Sequence, residues 1–94
     1  MKLLMIIADE EHKEELEVFL HHSGVQGYSE IPHVTGLGLT GPRLGSGAFP
    51  KTSAMILSII APEVLADLRD ALGDFCNKCG GRVRMIAWDV EEIG

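Results

Sequence analysis

The sequence predicts an α+β domain of order β-α-β-β-α-β, with a four-stranded antiparallel sheet and two helices on one face. Three observations predict it. Strand-length apolar or alternating runs stand at four places, Lys2 to Ala8, Val25 to about Gly36, Thr52 to Ile60 and Arg82 to about Val90. Two stretches of helical period fill the first and third gaps between them. Glycine and proline punctuate the ends of nearly every piece.

The first run, Leu3-Leu4-Met5-Ile6-Ile7, is continuous rather than alternating, which is the pattern of a strand covered on both faces. Asp9 to Ser23 predicts a helix: Asp9 suits the N-cap, and Glu10 and Glu11 suit the positive end of the dipole. Leu16, Phe19 and Leu20 supply its apolar stripe, His21-His22 suits the dipole at its C-terminal end, and Gly24 follows as the C′ residue. In the second strand Tyr28 and Glu30 point one way, Ser29 and Ile31 the other. Pro32 demotes its middle to a sheet edge or a bulge.

From Gly36 to Pro50 the sequence reads GLGLTGPRLGSGAFP, five glycines and two prolines, which predicts a long loop with neither helix nor strand. The third strand is again nearly all apolar. Pro62 opens the second helix, and Leu65, Leu68, Leu72, Phe75 or Cys76, and Cys79 recur on one face until Gly80-Gly81 stops it. A last strand and a short tail complete a single domain over residues 1–94.

Composition excludes several functions. The net charge of −6 repels phosphate backbones, so no nucleic-acid partner is expected. No apolar run reaches the ~20 residues that span a bilayer, and acidic residues follow the first strand at once, so neither membrane insertion nor a signal peptide is expected. Cys76 and Cys79 lie too close on one segment to staple a fold, which reads as a reducing cytoplasm. No recessed carboxylate pair and no Ser/His/Asp set is visible, so no catalytic constellation is expected and the chain does not read as an enzyme.

Two segments carry candidate binding chemistry. In the loop, Gly36 and Gly38 bare backbone N–H groups that can cradle an anion, while Arg43, Ser46 and Lys51 add donors. In Gly80-Gly81-Arg82-Val83-Arg84, two glycines allow close backbone approach, and Arg82 and Arg84 share one strand face. Each segment also has a plainer account, a linker in the first case and a helix stop followed by solvated arginines in the second. Cys76-Asn77-Lys78-Cys79 ends a helix instead of starting one, unlike redox motifs, and continues the apolar stripe. A metal site there needs further ligands, and His12, His21, His22 and His33 show no clear ligand spacing.

Two helices cover one face of a four-stranded sheet, yet the first and third strands are apolar on both. Contiguous apolar patches beyond roughly 300–600 Å² are rare on monomers, so self-association with closed symmetry is expected.

Over nearly the whole chain the sequence resembles the PII signalling proteins, which include nitrogen regulatory proteins. MKLLMIIA, the segment G-Y-x-x-I-x-x-V-x-G-x-G from Gly27 to Gly38, FPKTSAMILSIIAPE, and the ending Asp89-Val90-Glu91-Glu92-Ile93 occur in the family's order. The resemblance implies a ferredoxin-like βαββαβ sandwich, a homotrimer, and small ligands, often adenine nucleotides, in the clefts between subunits. It also implies a loop that contacts a protein target. Departures are clear. The loop lacks the family's modifiable tyrosine, which Thr40, Arg43 and Ser46 cannot replace. Ser53 stands where a phosphate-holding lysine is usual, with Lys51 two residues earlier. Arg82, or Arg84 on another anchoring, replaces the lysine before the last strand. The chain looks closer to divergent members with a compact Gly-rich loop of unknown ligand, and for this chain the resemblance implies an adenine nucleotide or another anionic metabolite. A second resemblance, to the CutA cation-tolerance trimers of the same fold, implies a metal held by Cys76, Cys79 and one histidine.

Overall fold

The structure, a computed structural model, describes residues 1–38, 41–48, 50–78 and 83–94, leaving aside the side chains of 38, 41, 43 and 76–78. Strand β1 is Lys2–Asp9, followed by a 3₁₀ turn over Glu10–His12 and helix α1 over Lys13–His22. Then come β2 (Ser29–Val34), a hairpin of β3 (Gly36–Gly38) and β4 (Gly41–Arg43), β5 (Ser53–Ile60), helix α2 (Pro62–Lys78) and β6 (Val83–Asp89). The main sheet runs β2-β5-β1-β6 with every neighbouring pair antiparallel. This is the ferredoxin-like α+β fold that the sequence predicts.

The core lies between the sheet and both helices. Leu4, Ile6, Ala8, Ile56 and Ile60 face Leu16 and Leu20 of α1 and Leu65, Leu68 and Phe75 of α2. The Phe19 and Phe75 rings stack at 4.5 Å and join the two helices. The apolar stripes thus do what their spacing predicts. Helix α1 closes with a Schellman motif: Val25 N–H donates to Leu20 O at 3.1 Å and Gly24 N–H to His21 O at 3.2 Å. Gly24 has φ +92°, which a side chain would resist. Ser58, buried on the helix side of β5, donates its hydroxyl to Gly27 O at 2.5 Å and so fixes the approach to β2.

Three expectations need correction. The helix expected from Asp9 to Ser23 starts as a 3₁₀ turn, and its α part begins only at Lys13. Asp9 occupies the N-cap position but makes no side-chain capping bond, because it is still the last residue of β1, paired with Ser53. The second strand is shorter than Val25–Gly36, because Val25 is drawn into the core by the helix cap and pairing starts at Ser29. The stretch expected to hold no strand contains the β3–β4 hairpin, in which Leu37 pairs with Pro42 and Gly38 with Gly41. An antiparallel ladder alternates bonded and non-bonded pairs, so it tolerates a residue without an N–H at alternate positions. Pro32 acts as expected on both counts. Strand β2 is an edge strand, and its register shifts between Ile31 and Val34. The shift is taken up at His33, whose φ is +56°, a left-handed conformation uncommon outside glycine.

The sheet's other face is a grid. Reading across β5, β1 and β6, the register aligns Ile59, Leu3 and Trp88 in one row, and Leu57, Met5 and Ile86 in the next. A third row, which β2 joins, runs Ile31, Met55, Ile7 and Arg84. Ile31, Ile59, Ile86 and Trp88 remain 41–50% exposed. Nothing in this chain covers the face among the described residues.

Candidate functional site

In this antiparallel order β1 and β2 end where β5 and β6 begin, so Asp9, Val34, Ser53 and Val83 share one end of the sheet. The register shows it: Asp9 pairs with Ser53, Val34 with Ser53, and Ala8 with Val83. The Gly-rich hairpin and the start of β6, far apart in sequence, therefore emerge at the same end. There an open groove of about 880 Å³ is lined by Asp9, Glu10, Glu11, His33, Thr35, Leu44, Gly45, Pro50, Lys51 and Thr52.

Glu10 ties the groove together. Its Oε1 accepts from the Thr52 hydroxyl at 2.7 Å and from the His33 N–H at 2.8 Å. Its Oε2 lies 3.1 Å from His33 Nδ1, and its own N–H donates to Thr52 O at 3.0 Å. One carboxylate thus joins the start of the first helical segment, the bulge of β2 and the entry to β5, the two latter being the stems of the Gly-rich hairpin. These bonds favour the charged form. The Thr52 hydroxyl first, then the His33 amide and the charges of His33 and Lys13, hold the Glu10 carboxyl below its ordinary value of 4.5. A depressed folded-state pKa means that the tie is fully formed above that value and is lost as pH falls through the lowered one. Protection of the His33 amide against hydrogen exchange should therefore hold at pH 4.5 and fall as pH drops through that lowered value. In Glu10→Gln it should show no such step, because the amide cannot titrate.

Gly45 positions the far wall. Its N–H donates to Lys51 O at 3.3 Å, closing the loop on itself. Its φ is +66°, and a Cβ there would lie 3.0 Å from the Thr52 methyl, so a larger residue would strain the wall.

Of the expected site residues, Lys51 lines the groove, and Gly36, Gly38 and Arg43 belong to the hairpin bounded by the lining residues Thr35 and Leu44. Ser46 is on the exposed bend beside Gly45. Arg84 is exposed on the open sheet face, opposite Ile7, one step from the groove end of β6. Gly80, Gly81 and Arg82 lie outside the described residues, as does Cys79. Sequence reasoning missed Glu10, His33 and Thr52 as a unit. Glu10 reads as one acid in a solvated run, and only Pro32 signals the bulge that turns His33 toward it. The groove has mixed charge. Asp9, Glu10 and Glu11 form one wall, and Lys51 stands across from them with Nζ 3.5 Å from Glu11 Oε1. An anion would have to engage the Lys51 and hairpin side.

Comparison with known proteins gives a consistent answer. No family model matches the chain, and no curated protein matches it in sequence. Solved structures do. One is CPII, a nitrogen regulatory PII-like protein from Thiomonas intermedia K12, bound to ADP, AMP and bicarbonate. It superposes with TM-score 0.72 at 26% identity, over 95% of this chain and 86% of that one. The same protein bound to ADP and bicarbonate gives TM-score 0.72 at 27% identity, with the same coverage. A DUF3240 family protein from Shewanella baltica OS155 shares the fold, with TM-score 0.67 at 20% identity over 99% of this chain and 92% of that one. Element order, register and these matches together make the chain a member of the PII-like superfamily.

Proposed function

We propose that this chain is a PII-like regulator that assembles as a trimer through its open sheet face and binds an adenine nucleotide or another anionic metabolite at the groove. One observation carries the reading: the groove sits at the sheet end where the Gly-rich hairpin and the start of β6 emerge, on a fold that CPII shares over 95% of this chain while holding ADP, AMP and bicarbonate. Lys51 supplies a cation on one wall. Arg84 sits where the apolar grid meets that end, so packing face to face would bring a neighbour's Arg84 toward the cleft. Gly36, Gly38, Arg43 and Ser46 of the hairpin region would close over the anion, or meet a target protein, and Gly80, Gly81 and Arg82 would complete the contacts. The role is sensing, with no chemical step.

Calorimetry with ADP, AMP and bicarbonate tests it. The wild type should bind at least one of them. Lys51→Ala and Arg84→Ala should each weaken binding about tenfold or more, since a charge-assisted hydrogen bond contributes ~1.5–3 kcal/mol. No heat with any of the three ligands, or both variants binding as the wild type, would remove the reading.

A further inference from the structure

We propose that Asp9, Glu11 and His12 form a binding site for a divalent cation of the zinc class, beside the anion site and with its own ligands. Among the described residues these three side chains bring one nitrogen and two carboxylate oxygens within 4.8 Å of one another. An ion bonded at about 2.1 Å to each ligand spans up to about 4.2 Å between them. Around a tetrahedral ion that spacing is about 3.4 Å, so closure needs the side chains to draw together, and Glu11 is exposed on the 3₁₀ turn.

The backbone explains the grouping. Asp9 is held by the sheet, buried, as the last residue of β1 opposite Ser53. The 3₁₀ turn that follows has three residues per turn, so Asp9 and His12 come to the same side.

A second observation concerns the ring of His12. Its Nδ1 lies 3.1 Å from Glu15 Oε2, which fixes the Nδ1–H tautomer and leaves Nε2 as the ligand atom. That Nε2 is 3.7 Å from Glu11 Oε1. A carboxylate behind a histidine, orienting its far nitrogen, is the outer-shell arrangement found around protein-bound zinc. The same Glu11 oxygen already faces a cation, Lys51 Nζ at 3.5 Å, on a half-exposed side chain free to swing away. Two carboxylates and a neutral imidazole match a doubly charged ion, and one nitrogen with two oxygens suits zinc or cobalt better than calcium or magnesium. Three protein ligands leave a coordination position open toward the groove that Asp9 and Glu11 line.

The test is titration with Zn²⁺ by calorimetry and with Co²⁺ by visible absorption. The proteins are the wild type, Glu11→Gln, His12→Gln, Glu15→Gln and the Cys76→Ser/Cys79→Ser double variant, with folding checked by circular dichroism. The wild type should bind one ion per chain. Glu11→Gln and His12→Gln should each lose about tenfold or more in affinity, and Glu15→Gln about tenfold, the usual cost of an outer-shell change. The cysteine variant should bind as the wild type. If the wild type takes up no ion at millimolar metal, or folded His12→Gln binds as tightly as the wild type, the site does not exist. ADP and bicarbonate calorimetry on the same proteins reports the anion site separately, so failure of one reading leaves the other measurable.

Discussion

Met5→Lys is expected to turn the proposed trimer into a single-chain particle in sedimentation velocity at micromolar concentration, with its secondary structure intact. Met5 is at the centre of the apolar grid, flanked by Leu57 on β5 and Ile86 on β6, with Leu3 and Ile7 two residues away on its own strand. The four exposed residues of that grid alone leave a large hydrophobic surface facing outward. Covering it is favourable by roughly 25 cal/mol per Å². A lysine at the centre would have to be desolvated without a partner in every copy, which costs several kcal/mol per ion. In the separated chain the same lysine meets water and costs little. Val18→Lys is the matched control, because Val18 is exposed on α1, in the opposite layer. It should sediment as the wild type does. A wild-type protein that already sediments as one chain would end the trimer proposal and the intersubunit cleft with it.

The second large effect concerns the other side of the sheet. Leu20→Ala should destabilise the protein by about 2–5 kcal/mol, read as a lower urea midpoint with an unchanged slope. Leu20 is fully buried in the core cluster with residues of β1 and β5 and Val25, while its carbonyl, which alanine keeps, still accepts the Schellman bond that ends α1. A domain of this size has only ~5–15 kcal/mol of net stability, so the loss is a substantial fraction. Val18→Ala, on the exposed side of the same helix, should change stability by no more than about 0.5 kcal/mol. Both measurements belong at one protein concentration, since assembly adds to apparent stability.

The fold was legible because its determinants are local and repeated. The continuous apolar run Leu3 to Ile7, the nearly apolar run Ala54 to Ile60, the i, i+3, i+4 stripes, the stop at Gly24 and the helix start at Pro62 each point to one outcome. The β3–β4 hairpin was hidden because glycine and proline composition argues against strands, while Leu37 and Pro42 pair through backbone geometry that composition does not record. The site was only half legible. Lys51 carries its charge openly. Glu10, His33 and Thr52 meet across separations of 23 and 42 residues, which no local spacing reveals. His12 and Glu15 stand at helical spacing, but Asp9 joins them only through the unexpected 3₁₀ turn. Reading Asp9 as a helix cap assigned the right position and the wrong bond.

The bulge in β2 has a further effect on how copies can meet. A sheet grows into a fibre only if both outer strands accept a new one. Here Pro32 lacks a donor and His33 turns the chain out of register, so the β2 border is a poor template. Among the described residues of the main sheet, β6 offers the regular border, and two β6 strands joined to each other leave only β2 borders outside. Growth of folded copies through the main sheet therefore halts at a pair.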